Sequence, residues 1–374
     1  MTTIAISLSL FILLVFRFVR PLTAAFKWKA ASAILLLVFS QQRLVNRLFF
    51  AGPAPDLPSG VLTVQGWMIT TILFLAVFVF ARDLAAWLTR PVYKPARPFS
   101  ASWRLAGGIF ALAALLSMFG VWEGIRVPDV RRVEIPLPGL PAELEGLRIA
   151  HLSDIHAGSL LTGEWVKRVV EKTNSLQPDL ILITGDIADG RPSRRLSDVE
   201  PFRDFKARHG VFASAGNHEY YSGFHEWMAL YQALGLRMLL NEHLVIDHQG
   251  TPLVIAGVTD RVASRFALPL PDLKAALAGA PKGATTILMD HRPGDAPENA
   301  LEGVALQLSG HTHGGHVIGL HIIPKLVNKG FISGLYELNG MILYVNNGAG
   351  LWGGFPVRLG RPSEITEIIL RGAS

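Results

Sequence analysis

The first third of the chain is written in long apolar runs and the remainder in short ones. Four long segments stand out: Ile4–Val19, Trp28–Ser40 with an apolar centre at Ala30–Phe39, Val61–Ala81 and Leu105–Trp122. A bilayer-crossing helix needs ~20 residues, with a lower limit of ~17. The third and fourth segments meet that length outright, the first approaches it, and the second falls at the margin. About four transmembrane helices are therefore expected within residues 1–125. The first segment has neither a basic start nor a small-residue cleavage site, so it does not read as a cleaved signal peptide. Residues 126–146 are rich in Pro and Gly and read as a linker, with a strand at Val130–Ile135.

From Leu147 onward, short strand-like runs alternate with helical periodicity. Strands are expected at Arg148–Leu152, Leu180–Thr184, Val211–Ala215, Val245–Asp247, Leu253–Val258, Thr285–Met289, Val304–Leu308, Met341–Asn346 and Ile365–Leu370. Helices are expected at Thr162–Ser175, where Trp165, Val166, Val169 and Val170 share a face behind a Thr162 cap, and at Val199–Arg208 and Phe224–Leu234. The pattern predicts an α/β domain over residues 147–374.

Five of the strands end in polar clusters. These are Ser153-Asp154-Ile155-His156, Gly185-Asp186, Gly216-Asn217-His218-Glu219, Asp290-His291 and Gly310-His311-Thr312-His313-Gly314-Gly315-His316. Singly, each is ordinary: Gly-Asp is usually a turn, and Asn-His before a helix is usually a cap. Sites in open α/β sheets form beyond the carboxyl ends of strands, so the five clusters can converge on one place. Residues i and i+2 of a strand point to one side, which lets His311 and His313 face a common site. The chain has no Cys, so a metal there would be held by His, Asp, Glu or Asn.

Charge sharpens the membrane reading. The net charge is +6, and Lys and Arg recur beside the apolar segments, at 17–29, 43–47 and 82–104. Such flanking charges hold helix ends at lipid headgroups. No nucleic-acid motif and no basic stripe interleaved with aromatics is present, so no nucleic-acid partner is expected. Arg17, Arg20, Lys27 and Lys29 lie between segments one and two, and Arg82, Arg90, Lys94, Arg97 and Arg104 between three and four. The intervening loop has only Arg43 and Arg47, with Asp56. Positive-inside counting then puts the first and third loops in the cytoplasm and the 147–374 domain on the outer side of the membrane. Pro53, Pro55 and Pro58, and Pro91, Pro95 and Pro98, mark the two longer loops.

The five clusters, in their order and spacing, resemble the motifs of the calcineurin-like metallophosphoesterases. The bacterial membrane-associated phosphodiesterase branch is closer still: it typically shows Ser-Gly-His-Thr-His-Gly-Gly, here Ser309–Gly315, and a closing Pro-x-Arg-x-Gly-x-Pro-x-Glu-Ile, here Pro356–Ile365. The resemblance implies an αββα sandwich following the transmembrane helices. It also implies two divalent metal ions bridged by Asp186. Asp154, His156, Asp186 and His313 would hold one ion, and Asp186, Asn217, His291 and His311 the other. Oxygen and imidazole ligands of this kind suit Mn, Fe or Zn. Two such ions acidify a shared water and bind phosphate oxygens, and hydroxide attacks phosphorus in line. His218 is implied to protonate the leaving oxygen or to stabilise the transition state. Asp189 is placed to hydrogen-bond a ligand histidine. Two positions depart from the branch: Asp290 stands where a small residue is more common, and His316 where Gln is usual. Asp290 is then a supporting carboxylate or an exposed strand end, and His316 a substrate contact or a loop histidine.

Apolar residues near the motifs suggest the substrate. Leu160, Leu161, Tyr220, Tyr221, Phe224, Trp227, Leu351, Trp352 and Phe355 flank the clusters, and Trp227 reads as core. The loop Leu351–Phe355, with Trp352, can form an apolar rim for acyl chains. The expected substrate is a membrane-proximal or lipid-linked phosphodiester, phosphomonoester or pyrophosphate: a phospholipid headgroup, an isoprenoid diphosphate, or a UDP-linked acylated sugar if the site is cytoplasmic. Membrane lipids are the other expected partner. Two further classes are open: an inactive metal-binding sensor on the same fold, and a transporter with an accessory domain. The spans contain few charges, which speaks against transport.

Overall fold

The computed structural model describes residues 2–49, 56–92 and 101–373. Pro53, Pro55, Lys94, Pro95, Arg97 and Pro98 lie outside the described residues. The chain forms two compact units, Met1–Glu123 with Gly353–Val357, and Gly124–Trp352 with Arg358–Ser374.

The first unit is helical: α1 (Thr2–Leu14), extended by a π-helical turn at Val15–Val19, then α2 (Phe26–Ser40), α3 (Gln42–Phe49), α4 (Ser59–Thr89) and α5 (Trp103–Ile125). Among the described residues, α4 and α5 are the helices long and apolar enough to cross a membrane. They contain the third and fourth sequence segments. The first segment gives a shorter apolar helix, Ala5–Val19, and the second gives α2 with 15 residues, below the ~17 that a span requires. The indole of Trp67 on α4 donates to the Ala114 carbonyl on α5 at 2.9 Å, and Arg17 pairs with Asp83 at 2.8 Å. Phe80 and Trp87 of α4 and Leu112 and Leu115 of α5 remain exposed.

The second unit is a sandwich of two six-stranded sheets. Its strands are β1 (Asp129–Leu137), β2 (Arg148–Leu152), β3 (Leu180–Thr184), β4 (Val211–Ser214), β5 (Arg237–Met238), β6 (Glu242–His248), β7 (Thr251–Gly257), β8 (Thr285–Met289), β9 (Leu306–Ser309), β10 (Gly334–Leu338), β11 (Met341–Val345) and β12 (Glu364–Gly372). One sheet runs β1-β12-β2-β3-β4-β5 and the other β10-β11-β9-β8-β7-β6. β2 to β5 are parallel, as are β7, β8, β9 and β11, which places the motif-bearing strand ends at the same edge of each sheet.

β2, β3, β8 and β9 are buried along almost their whole length, which is why they read as continuous apolar runs rather than alternating ones. Ile149, Leu180 and Leu182 of one sheet meet Ile255, Ile287, Met289 and Leu308 of the other in the central core. On the outer face of the first sheet, Ile181 and Ile183 pack with Trp165, Val166, Val169 and Val170 of α6 (Gly163–Ser175). Ala256, Leu288, Leu343 and Val345 form a third cluster on the outer face of the other sheet.

One expectation is met here and one is corrected. Residues 126–146 hold the strand expected at Val130–Ile135: β1 pairs in parallel with β12 over nine residues and buries Ile135 and Leu137 completely. Val199–Arg208 is not a regular helix. A helix α7 (Pro192–Val199) precedes it, and a short 3-10 turn, Glu200–Asp204, follows, because Pro201 lacks the amide hydrogen that a continuing helix would need. Phe224–Ala233 forms a helix as expected; it follows a short α8 (Asn217–Tyr221) and is α9 here.

A candidate metal centre at the strand ends

The backbone at the ends of β2, β3 and β9 turns into the left-handed region. Asp154 (φ 50°), His156 (φ 50°), Asp186 (φ 51°), His311 (φ 67°) and His313 (φ 50°) all sit there. Asp and His tolerate this conformation better than most residues, yet five instances in one place are uncommon. Hydrogen bonds between loops hold them: Asp154 N–H donates to Gly185 O at 3.1 Å and His156 N–H to Asp186 O at 3.0 Å. Gly216 and Gly310 permit the close approach, since a Cβ at Gly216 would strike the Asp186 carboxylate and one at Gly310 would strike Ser153 Oγ and Asp154 Oδ2.

The loops deliver three groups of ligand-type atoms: Asp154, His156 and His313 in the first, Asp186, His291 and His311 in the second, and His156, Asp189 and His218 in a third that shares His156 with the first. Within the first, His313 Nε2 is 3.3 Å from Asp154 Oδ1 and 3.3 Å from His156 Nε2. Within the second, His291 Nε2 is 3.3 Å from Asp186 Oδ2 and 3.2 Å from His311 Nδ1. Asp186 Oδ2 also lies 3.8 Å from His156 Nε2, so this one oxygen stands between the groups. Asp154 Oδ1 is buried with no hydrogen-bond partner. An orphaned carboxylate oxygen facing imidazole nitrogens is costly unless a cation completes it, so the first group fits a divalent ion. The second fits by donor chemistry.

Electrostatics agree. Burial pushes His311 and His313 well below the usual imidazole range, with coulombic interactions from His291 and His316 respectively adding to it, so both are neutral and carry lone pairs. Burial alone would lower His218 and His291 too. The Asp186 carboxylate, with Asp189 for His218 and Asp154 for His291, outweighs it and raises each to about 10. The carboxylates thus draw positive charge into the cluster, which is what a cation site does. Asp186 itself is held well below the usual carboxylate range by His291, His218 and His156, against its burial.

Several supporting residues surround the ligands. Asp189 Oδ1 lies 3.1 Å from His156 Nδ1 and 2.6 Å from His218 Nδ1. It orients both rings, leaving His156 Nε2 toward the cluster and His218 Nε2 4.0 Å from Asp186 Oδ2. His218 N–H also donates to Asp186 Oδ1 at 2.8 Å. His291 Nδ1 is 2.7 Å from Thr184 O, which fixes its Nε2 toward Asp186. Asp290 does not join the cluster. It accepts from Arg292 N–H and Asn299 Nδ2, and burial raises it to about 7. The His316 ring stacks on His313 with centroids 4.9 Å apart.

A cavity of about 350 Å³ opens on this cluster, lined by Asp186, Asn217, His218, His311, His313 and His316 and by the apolar Ile323, Pro324, Val327 and Trp352. The Trp352 ring lies 6.5 Å from that of His218. The neighbouring Leu351 is fully buried, as are Leu161, Tyr220 and Trp227, so these belong to the core and not to a rim.

Three residues escaped the sequence reading of roles. The buried Glu219 carboxylate accepts the amides of Gly216 (2.8 Å), Asp186 (3.1 Å) and Ile187 (2.8 Å), tying the β3 and β4 loops together. Its position three residues after Gly216 is the capping-box spacing, which could have revealed it. Arg292 is anchored on the buried Asp260 at 2.6 Å and also reaches Asn217 Oδ1 (3.0 Å) and His311 Nε2 (2.7 Å). A guanidinium therefore stands on two atoms of the second ligand set, where an ion would compete with it. Arg358 secures the His313 loop from behind, donating to His313 O at 2.8 Å.

Comparison with known proteins follows the same lines. The family model described as calcineurin-like phosphoesterase matches residues 147–315. A transmembrane protein with metallophosphoesterase domain from Danio rerio is 34% identical over 318 residues, covering 82% of this chain and 72% of that protein. Its counterpart from Bos taurus is 32% identical over 364 residues, covering 92% and 81%. An uncharacterized metallophosphoesterase from Campylobacter jejuni is 34% identical over 271 residues, covering 71% and 70%.

Proposed function

This chain belongs to the calcineurin-like metallophosphoesterases and is a metal-dependent phosphoester hydrolase, and we propose that it works with two ions bridged by Asp186, on a lipid-linked substrate, from a membrane anchor. The observation that carries the binuclear reading is the position of Asp186 Oδ2, within 3.3 Å of His291 Nε2 in one ligand group and 3.8 Å of His156 Nε2 in the other. Asp154, His156 and His313 complete one ion's set, and Asn217, His291 and His311 the other's. Mn, Fe and Zn all suit these donors. When bound, a pair of divalent ions acidifies water and draws off the negative charge of the phosphate. The chain's own residues orient and exchange protons. Asp189 aims His156 and His218, and His218 gives the proton on Nε2 to the leaving oxygen. Elemental analysis of the purified full chain is expected to give two equivalents of transition metal; a single equivalent at saturation contradicts the bridged pair.

The amphiphilic substrate is supported by the cavity lining, which sets Ile323, Val327 and Trp352 against Asp186 and His218. Hydrocarbon is expected on the apolar residues and the phosphoester on the polar ones. Trp352→Ala is expected to lower turnover of a lipid-linked phosphoester relative to that of bis-p-nitrophenyl phosphate. An unchanged ratio removes the lipid reading.

The anchor is the α4–α5 pair. Arg82, Arg90 and Arg104, with Lys94 and Arg97 in the sequence between, mark the connecting loop as cytoplasmic by positive-inside counting. The helix leading into the catalytic unit then emerges on the opposite face. An alkaline phosphatase reporter fused at the C-terminus is expected to be active and a green fluorescent protein reporter dark in bacterial cells; the reverse pattern puts the site in the cytoplasm.

A further inference from the structure

The chain continues from the His-x-His loop into a short helix, α12 in chain order if the one-turn helices at Leu273–Ala276 and Ala296–Asn299 are counted, over Ile322–Val327. It is built unlike the rest of the catalytic unit. Ile318, Ile322, Ile323, Leu326 and Val327 are all exposed, Leu326 and Val327 by 75% and 78%. Single exposed apolar side chains are normal on a soluble surface, but five within ten residues are a patch that water does not favour. Residues 316–333 lie beyond the 147–315 stretch matched by the family model. Two of the five, Ile323 and Val327, also line the cavity that holds Asp186 and His218.

We propose that Ile318–Lys329 is a lipid-interface docking element, which seats in the headgroup and upper acyl region of the bilayer and opens the cavity onto it. The occupant is lipid for three reasons. The chain carries its own membrane helices, and residues 126–128 alone separate the end of α5 from the start of β1, so bilayer is always at high local concentration. Ile323 and Val327 belong both to the patch and to the cavity lining, which suits a molecule whose phosphate reaches Asp186 and His218 while its hydrocarbon stays on Ile323 and Val327. The composition is that of an interfacial segment, with apolar Ile322, Ile323, Leu326 and Val327 flanking Lys325, which can meet anionic headgroups. The inference rests on the proposed membrane anchoring but not on turnover.

The test uses the full chain in nanodiscs of phosphatidylglycerol and phosphatidylcholine. The sequence has no Cys, so Leu326→Cys gives a single site for a fluorescent label. Leu115→Cys on the exposed face of α5 serves as the lipid-facing reference, and Leu301→Cys, 72% exposed elsewhere on the catalytic unit, as the aqueous one. With nitroxide-bearing phospholipid as quencher, the label at 326 is expected to be quenched to a degree close to that at 115 and several-fold more than at 301. Ile322→Glu in the Leu326→Cys background is expected to weaken that quenching. Ile318→Cys repeats the measurement at the start of the element. Quenching at 326 no stronger than at 301 overturns the proposal. Excimer emission from pyrene at 326 overturns it too, because it assigns the patch to a second copy of the chain. Neither readout depends on hydrolysis, so an inactive preparation or a water-soluble substrate leaves the test intact.

Discussion

Asp186→Asn is expected to lower kcat/KM for bis-p-nitrophenyl phosphate about a thousandfold, on the order of 4 kcal/mol of transition-state stabilisation. The substitution changes little else. Asn keeps an oxygen at Oδ1 to accept the His218 amide, which now donates to Asp186 at 2.8 Å, and the Asp186 amide can still donate to Glu219. What is lost is a full negative charge at Oδ2, the atom between the two ligand groups. In the proposed two-ion site that charge would offset both cations, and an amide would be a poor bridge between them. Metal content should therefore fall with activity. His218→Asn separates the roles: it removes the proposed proton donor without removing a candidate ligand, so turnover should fall while metal content stays at the wild-type value. If Asp186→Asn keeps its metal and loses less than tenfold in rate, a bridging role for Asp186 is wrong. If His218→Asn loses metal as well, its effect is on the ligands and not on the proton.

How much of this was legible in the sequence depends on what each feature is made of. The central strands were legible because burial on both faces leaves an unbroken apolar run, as in Leu180–Thr184 and Thr285–Met289. The clustering of the candidate ligand residues was legible because each lies just past the end of such a run. Short or half-exposed strands were not: β5 has two residues, and Gly334–Leu338 is half-exposed along its length. The left-handed backbone at Asp154, His156, Asp186, His311 and His313 leaves no trace in residue type, because none of these is Gly. Arg292 was opaque for another reason. Its partners, Asp260, Asn217 and His311, lie up to 75 positions away, and only the sandwich brings them together. The apolar character of the first third was legible in hydropathy, but the number of helices long enough to span was not, since a 15-residue helix such as α2 passes as apolar and falls short of a span. The rim was half legible: Trp352 faces the cavity, whereas Leu351 beside it is buried core.

Arg358→Met is expected to cost about 3–5 kcal/mol of stability, the usual loss when a buried charged network is broken from one side. For a unit of this size that is a fall of about 10 °C or more in Tm. Arg358 is fully buried, and its Nη1 and Nη2 groups donate to main-chain carbonyls: His313 O at 2.8 Å, Asn347 O at 2.6 Å and Gly350 O at 3.0 Å. Burial lowers it to about 10, which leaves it cationic at neutral pH. Met fills comparable volume but leaves these carbonyls unpaired in a dry interior, and each unpaired carbonyl carries its own desolvation cost. The consequence reaches the site because His313 is held in a left-handed conformation whose own carbonyl is one of the acceptors. With Arg358 gone, the His313 loop relaxes, and affinity for the ion on Asp154, His156 and His313 should weaken ten- to a hundredfold, the order found when a ligand's supporting contact is removed. Arg358→Lys should recover only part of the stability, since an ammonium cannot span carbonyls that a planar fork reaches together. Thermal melting in detergent and metal titration of the same variants decide it. A Tm within a degree or two of wild type for Arg358→Met would mean that the carbonyl cage is satisfied without the guanidinium, and that the closing Pro-x-Arg-x-Gly motif has another purpose.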